Sequence, residues 1–198
     1  MLISELIIAS NNTHKIKEIS KILEGFNFKI FSLKDFSDFP DTEETGTTLR
    51  ENALIKAKAV YDKYNKPALA DDTGLFVDAL KGAPGVYSAR YAGENATYKD
   101  NCDKLLNALK DVEGKERTAE FRSLLCLYIN ENEHYFFEGI VHGRIIKQPK
   151  GANGFGYDPL FIPRGYAKTY AEMTDEQKNE LSHRALSLKK FKKFLSRF

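Results

Sequence analysis

Two adjacent carboxylates, Asp71 and Asp72, follow the apolar run of residues 67–70 and precede Thr73 and Gly74. The run predicts a strand that stops at the pair, and α/β proteins place ligand chemistry at such strand ends. Because successive side chains of an extended segment point to opposite faces, only one carboxylate can face a given cleft. Asp is also a favoured turn residue, so the pair alone favours a capped turn.

Glu43 and Glu44 are a second pair of carboxylates, in the loop before a predicted helix. Mg²⁺ binds carboxylates from separate segments together with water and substrate phosphates. Two adjacent Glu residues in an acidic loop are also typical of plain surface charge. A metal site therefore depends on whether this loop lies near Asp71 and Asp72 in space.

A polar loop links the first predicted strand to the first predicted helix, and it consists of Ser10, Asn11, Asn12, Thr13, His14 and Lys15. The N–H groups and dipole of a helix N-terminus favour phosphate, and Lys15 adds a mobile positive charge. The Gly-rich run of a Walker A loop is missing. The same residues are equally typical of an Asn-rich cap on a surface helix.

Two later segments combine polar and aromatic side chains. Phe155 and Asp158 lie among glycines, where a ring could stack on a nucleobase and a carboxylate could accept from base N–H groups. A Gly-bearing turn with core aromatics is the alternative.

His183 and Arg184 open the last predicted helix and could donate to an anion or a carbonyl-rich base. A capped helix with surface basic residues is the alternative there.

The elements that position these residues follow from apolar periodicity. The sequence predicts strands at residues 6–9 and 28–31, and helices that begin after Ser10–Asn12, at the capping box Thr48–Glu51 and at Tyr98. A β-rich region covers residues 118–146, and two more helices follow Thr174 and Ser182. The alternation predicts an α/β fold with a mixed central β-sheet flanked by helices, in two lobes without a sequence-level boundary.

Composition restricts the class of protein. At 198 residues and 42% hydrophobic, the chain can bury a substantial core, and its net charge of +2 is too weak to indicate nucleic-acid binding. The two cysteines, Cys102 and Cys126, form no CxxC pair, so we expect no disulfide framework and a reducing cytoplasm. No signal peptide is visible, and no apolar run reaches the roughly 18 residues of a membrane span. No Ser-His-Asp or Cys-His arrangement stands out.

Together these segments resemble the inosine triphosphate pyrophosphatase family, the XTP/dITP diphosphatases that remove non-canonical purine nucleotides. Six motifs in register along nearly the whole chain carry the resemblance. They are residues 8–15, residues 43–46 with 51–53, residues 70–74, residues 82–90, residues 154–159 and residues 182–184. The family's first loop often has Gly where Asn11 stands, and Asn tolerates left-handed backbone better than most residues.

The resemblance implies an elongated two-lobed fold with a cleft between the lobes, one domain over residues 1–198 and a homodimer. It implies Mg²⁺-dependent hydrolysis of ITP, dITP and XTP to the monophosphate and pyrophosphate, with Asp72 as the proton acceptor. Glu43 and Asp72 would bind the metal, and whether Glu43 or Glu44 is the ligand stays open. The implied substrate contacts are Ser10, Asn11, Asn12, Thr13, His14, Lys15, Lys56, Thr73, Phe155, Gly156, Tyr157, Asp158, Lys178, His183 and Arg184.

Asp71, which would point away from the metal, is expected to support the turn or the site indirectly. Two rival functions also fit the sequence. One is a related pyrophosphatase that acts on another nucleotide, such as a modified pyrimidine. The other is a nucleotide- or RNA-binding module without catalysis. How guanine would be rejected is not visible in the sequence.

Overall fold

The structure is a computed structural model that describes residues 3–39 and 42–197. Its strands are β1 (Glu5–Ile8), β2 (Lys29–Phe31), β3 (Ala68–Val77), β4 (Pro84–Gly85), β5 (Thr118–Asn130), β6 (Glu133–Ile145) and β7 (Phe161–Pro163). Its α-helices are α1 (Thr13–Ile22), α2 (Leu49–Tyr64), α3 (Tyr98–Ala108), α4 (Asp175–Leu181) and α5 (His183–Leu195). The predicted mixed α/β architecture is confirmed. Within the described residues, no helix has the length and apolar character needed to span a bilayer.

The strands pair in the order β2-β1-β3-β5-β6-β7, with β4 beside β3. β1 is parallel to both β2 and β3, whereas β3 with β4 and β6 with β7 are antiparallel. The chain divides into two compact units. Unit 1 comprises the described parts of residues 1–72, 123–139 and 184–198, and unit 2 comprises residues 73–122 and 140–183. The single domain over residues 1–198 stays a prediction.

Unit 1 has a core on each face of its strands. One cluster, here the α1/α5 cluster, contains Leu6, Ile8, Ile19, Leu23, Leu69, Leu125, Leu127, Leu188 and Phe191. The other, the α2 cluster, contains Ile7, Ala53, Ala57, Val60, Ala68, Ala70, Cys126 and Tyr128. Neighbouring residues of each strand alternate between the clusters. Helices therefore cover both faces, which explains why these strands read as continuous apolar runs.

Unit 2 has its own core, in which α3 and strand residues pack around aromatic side chains. Leu105 and Leu109 are fully buried there. Phe121 packs edge-on against Phe161, with 4.8 Å between ring centroids. The capping boxes at Thr48 and Thr174 form as predicted, because each hydroxyl accepts from the backbone N–H three residues later.

Candidate active site

The two carboxylates lie inside β3 and not at its end. β3 runs from Ala68 to Val77, so the prediction that the strand stops at Asp71 is wrong. The physical reason lies at Gly74, where a Cβ atom would come within 2.5 Å of the carbonyl oxygen of Gly85. Gly74 therefore permits the close approach of β4. Antiparallel pairing with β4 extends β3 beyond Gly74.

Strand alternation separates the two carboxylates, as the sequence predicts. Leu69 packs in the α1/α5 cluster and Ala70 in the α2 cluster. Asp71 has the parity of Leu69, and its side chain contacts residues of α1 and α5. Asp72 has the parity of Ala70, and its side chain contacts α2. The two acids thus have different chemical surroundings.

Asp71 is the centre of a buried ion-pair network in unit 1. Its Oδ2 accepts from Nε and Nη2 of Arg184 at 3.0 and 2.9 Å, and Lys15 Nζ lies 3.2 Å from the same oxygen. Ser123 Oγ donates to Oδ1 at 2.6 Å. Burial alone would raise the pKa of Asp71, but the charges of Arg184 and Lys15 outweigh it and hold that pKa well below its usual value. Asp71 is therefore an anion at neutral pH.

Asp72 is also buried but only half paired. Its Oδ1 lies 2.5 Å from Lys56 Nζ, whereas its Oδ2 has no hydrogen-bond partner among the described residues. Burial raises the pKa of Asp72, and the positive charge of Lys56 offsets this only in part. Burial of a carboxylate oxygen without a hydrogen-bond donor costs free energy. A bound ligand that contacts this oxygen would offset that cost.

Lys56 joins Asp72 to the acidic loop. Its ammonium contacts Glu44 Oε1 at 2.9 Å as well as Asp72 Oδ1. Burial lowers the pKa of Lys56, but the two carboxylates outweigh burial and raise it above the ordinary value. Glu43, in contrast, is exposed. The structure therefore brings Glu44 to Asp72, and a metal contact of Glu43 stays a prediction.

The same lysine converges with Lys15 on one backbone atom. Lys15 Nζ donates to the carbonyl oxygen of Asp71 at 3.1 Å, and Lys56 Nζ donates to it at 3.2 Å. Burial lowers the pKa of Lys15, and the neighbouring charges of Lys56 and Arg184 act in the same direction, against the opposing effect of Asp71. Two lysines held at one point make a concentrated positive site, suited to phosphate.

The loop before α1 is a cap built by Asn12. Its side-chain oxygen accepts from the N–H groups of His14 and Lys15 at 3.0 and 3.2 Å, and Ser10 Oγ accepts from Asn12 N–H. Asn11 and Thr13 are exposed. Among the described residues other than glycine, positive φ occurs at Asn65 and Lys81, so Asn11 needs no left-handed backbone. Phosphate contacts of this loop stay a prediction.

The carboxylates of Asp72 and Glu44 fit Mg²⁺ because they are negatively charged and because one buried oxygen accepts no hydrogen bond. Asp72 Oδ2 lacks a donor, and Glu44 and Asp72 already contact a common cation, the Lys56 ammonium. Mg²⁺ typically takes only one or two protein carboxylates and completes its shell with water and phosphate oxygens. The described residues contain no group of three or more His, Cys, Asp or Glu side chains placed to hold a metal.

Unit 2 carries a second charged cluster, around Asp158. Lys178 Nζ lies 2.7 Å from Asp158 Oδ2, the Phe155 N–H donates to the same oxygen at 2.8 Å, and both charged side chains are buried. The ammonium also lies 4.8 Å from the centroid of the Phe155 ring. Gly154 adopts φ +74°, and a Cβ there would meet Asp158 Oδ2 at 2.1 Å. The predicted segment thus forms a compact turn with a half-buried aromatic ring.

The other predicted residues of unit 2 have structural contacts. Tyr157 is buried, and its hydroxyl donates to the Ser88 carbonyl at 2.9 Å, while Gly156 adopts φ +61°. His183 stacks on Phe121 with 4.6 Å between ring centroids and an interplanar angle of 11°. Thr73 is half-buried in β3. Direct substrate contacts of these residues stay predictions.

Arg184 has a different environment from the one expected of a base-pocket donor. Its Nε and Nη2 donate to Asp71, its Nη1 contacts Glu18 Oε2, and its side chain is 1% exposed. These donors face carboxylates of unit 1. A contact between Arg184 and a nucleobase stays a prediction, and the structure gives this residue a defined structural role.

Sequence reasoning missed the hydroxyl groups behind Asp71. Ser123 Oγ lies 2.9 Å from Ser187 Oγ, and the Ser187 hydroxyl also bonds the carbonyl of Arg184 at 2.9 Å. Ser123 shares strand parity with the buried Leu125, so a polar residue inside that apolar run was a usable signal. Ser187 and Glu18 lie on helices and gave no comparable signal.

Comparisons with known proteins identify the family of the chain. The model of the Ham1 family matches residues 6–194. Relatives named dITP/XTP pyrophosphatase include one from Bacillus subtilis, 47% identical over 98% of both chains, and one from Geobacter sulfurreducens, 49% identical over 93% of both.

Solved structures give the same result. A HAM1 protein from Coxiella burnetii is 40% identical, covers 100% of both chains and superposes with a TM-score of 0.90. The Ham1 protein of Staphylococcus aureus is 40% identical over 97% of this chain and 98% of its own, with a TM-score of 0.87. The resemblance found in the sequence is confirmed: the chain belongs to the Ham1 family.

Proposed function

We propose that this chain hydrolyses dITP, ITP and XTP to the nucleoside monophosphate and pyrophosphate and thereby removes non-canonical purines from the nucleotide pool. The support is twofold: relatives that share almost half of its residues carry the name dITP/XTP pyrophosphatase, and unit 1 holds a carboxylate and lysine set suited to phosphoryl chemistry. The observation that carries the mechanism is the buried Oδ2 of Asp72 without a donor.

Asp72 is the proposed general base. Water becomes a nucleophile towards the α-phosphorus when a carboxylate accepts its proton, and a base works best when its pKa approaches the working pH. In the metal-free protein, burial raises the pKa of Asp72 in that direction. The donor-free Oδ2 is the atom that would accept the proton, since Oδ1 is already bound to Lys56.

Lys15 and Lys56 are the proposed phosphate ligands, together with Ser10, Asn11, Asn12, Thr13 and His14 of the loop before α1. The two ammonium groups are already fixed on the Asp71 carbonyl oxygen. Charges fixed before the reaction stabilise the negative charge that develops on phosphate oxygens at little cost in reorganisation. Asp71 and Arg184 would hold this arrangement from the opposite face of β3.

Glu44 and Asp72 would hold Mg²⁺, and Glu43 is the alternative ligand from the same loop. The ion, when bound, polarises the phosphoryl group and helps to deprotonate water. Lys56 contacts both Glu44 and Asp72 and so keeps their carboxylates at one place. Its ammonium would keep the two like charges together until the metal and the substrate bind.

Phe155, Asp158 and Lys178 are the proposed base-recognition residues. A purine could stack on the Phe155 ring. The Lys178 ammonium, which lies over that ring, could donate to a carbonyl at position 6 of the base. Adenine carries an amine at that position, so the donor would face another donor. Mismatches of this kind reach factors of about 10⁴ in sites built on hydrogen bonds. Gly156, Tyr157, Thr73, His183 and Arg184 complete the proposed substrate set.

A panel of nucleoside triphosphates with Mg²⁺ tests the proposal. We expect dITP, ITP and XTP to be cleaved with a kcat/KM at least 100-fold above that of dATP and dGTP, with pyrophosphate and not phosphate released. Faster turnover of a modified pyrimidine would favour the related-pyrophosphatase alternative. Binding without turnover of any nucleotide would favour a binding module.

The proposal includes a homodimer, which the family resemblance implies, and a cytoplasmic location, which the cysteine pattern indicates. Light scattering after size-exclusion chromatography measures the first, because a dimer has twice the mass of 22.5 kDa. Fractionation of the source cells measures the second. A monomeric mass at micromolar concentration would contradict the dimer.

A further inference from the structure

Unit 2 contains a groove of about 610 Å³ that includes none of the site residues predicted from the sequence. Three segments line it: Gly114, Lys115 and Thr118 before and at the start of β5, residues 143–144 of β6 and residues 162–166 at and after β7. Its volume falls within the range of roughly 300–1,000 Å³ that is typical of small-ligand sites. The groove is therefore large enough for a nucleotide-sized molecule.

The groove is lined by cations without counterions. Lys115, Arg144 and Arg164 are exposed, and none forms an ion pair within the described residues. No acidic side chain lines the groove, although the Thr118 hydroxyl at its edge donates to Asp78 Oδ2 at 2.6 Å. Three cations that line one groove without a carboxylate create a local positive potential.

A fourth cation without a counterion, Arg117, lies in sequence between the lining residues Lys115 and Thr118 but is not part of the lining itself. Arg117 is 2% exposed, and its guanidinium donates to the carbonyl oxygens of Leu109, Ile145 and Ile146 at 2.8, 3.0 and 3.2 Å. These acceptors are neutral, and no carboxylate contacts Arg117 within the described residues. A buried cation without an anion is costly, and an anion bound nearby would reduce that cost.

The groove also has an aromatic and apolar part. Tyr166 is 52% exposed and lies beside Ile162 and Pro163 in the lining. An exposed ring next to Arg and Lys side chains matches the two parts of a nucleotide, because a base stacks on the ring and phosphate oxygens accept from the cations. A simple polyanion would leave the ring unused, and a long nucleic acid would need more cations than these.

We propose that this groove is a second ligand site, which binds a nucleoside phosphate with its phosphate on Arg144, Arg164 and Lys115 and its base on Tyr166. It is independent of the proposed hydrolysis, since none of the groove residues has a role there. A site of this kind would let the product monophosphate or another nucleotide bind without blocking the catalytic carboxylates.

The absence of tryptophan from the chain gives a local probe. The variant Tyr166→Trp keeps an aromatic ring in the groove and carries the only indole of the protein. We expect inosine monophosphate, which has no anhydride bond to cleave, to change its fluorescence saturably on excitation at wavelengths that purines do not absorb. The control variant Tyr87→Trp places the indole at a tyrosine that is 54% exposed and outside the groove, and its fluorescence should not respond.

Charge removal in the Tyr166→Trp background tests the phosphate contacts. Arg164→Ala or Lys115→Ala should weaken binding about tenfold or more, because a charged hydrogen bond is lost. Lys110→Ala, which removes an exposed cation of unit 2 outside the groove, should leave the affinity unchanged. Free inosine and inorganic pyrophosphate should each bind at least tenfold more weakly than the monophosphate.

Several results would overturn the proposal. An equal response of the Tyr87→Trp and Tyr166→Trp variants, or an affinity unaffected by Arg164→Ala, would mean that the groove is not the site. If pyrophosphate binds as tightly as the monophosphate, the base does not contribute to binding and the proposed stacking on Tyr166 is wrong. Single-stranded RNA that binds more tightly than the monophosphate would make the groove a nucleic-acid surface. Calorimetry of the unsubstituted chain and of Arg144→Ala provides an independent check without the indole.

Discussion

Replacing Asp71 with Asn removes the anion on which the buried network of unit 1 depends. The side chain of Asp71 is fully buried and that of Arg184 is 1% exposed, so water cannot replace the lost charge. Asn keeps the shape but turns one acceptor into a donor that would face Arg184, Lys15 or Ser123. Removal of one member of a buried pair costs about 3–5 kcal/mol. Arg184 retains Glu18, so we expect a loss of about 3 kcal/mol in the free energy of unfolding.

Urea denaturation followed by circular dichroism at pH 7 measures this loss. The matched control is Asp62→Asn, which breaks an exposed pair with Lys58 and should cost less than about 0.5 kcal/mol. The pKa of Asp71 is lowered in the folded state, so its contribution is present above the unfolded carboxyl value of about 3.9 and is lost as the pH falls further. The difference in the free energy of unfolding between the unsubstituted chain and Asp71→Asn should therefore shrink below about pH 4. A loss under about 1 kcal/mol at pH 7, or a difference that does not change with pH, would refute this reasoning.

Three further outcomes concern the proposed site. Asp72→Asn should lower kcat by about 10² to 10⁴-fold with unchanged circular dichroism, and near-normal turnover would exclude Asp72 as the base. Glu44→Gln should raise the Mg²⁺ concentration needed for half-maximal activity, whereas Glu43→Gln should not; the reverse order would assign the metal to Glu43. Gly154→Ala, at φ +74° and 2.1 Å from Asp158, should raise KM for dITP about tenfold and leave kcat nearly unchanged, and an unaltered KM would separate this turn from base recognition.

Local features of the chain could be predicted from its sequence because they depend on neighbouring residues. The capping box at Thr48 depends on a hydroxyl and a Glu three residues apart, and both are visible in the sequence. The opposite orientation of Asp71 and Asp72 follows from strand geometry alone. The 3.6-residue period of a helix likewise places Lys56 at the edge of the apolar face of α2, but it does not identify the carboxylates that this side chain contacts.

Features that depend on distant segments could not be predicted in the same way. The sequence around Gly74 is typical of a turn, because the pairing of β3 with β4 is not encoded locally. The guanidinium of Arg184 is bound to a carboxylate 113 positions earlier in the chain, and a helix N-terminus alone suggests a ligand just as readily. Whether Glu43 or Glu44 contacts Lys56 of α2 depends on the tertiary structure, so the sequence alone cannot distinguish the two residues.

The carbonyl oxygen of Asp71, on which Lys15 and Lys56 converge, has a consequence for how this chain can diverge. Every amino acid brings that oxygen, so no point mutation at position 71 can delete it, whatever happens to the carboxylate. The spacing of the two ammonium groups therefore depends on the path of the main chain and not on the side chain at position 71. Only a slip in the register of β3, by insertion or deletion, would move it.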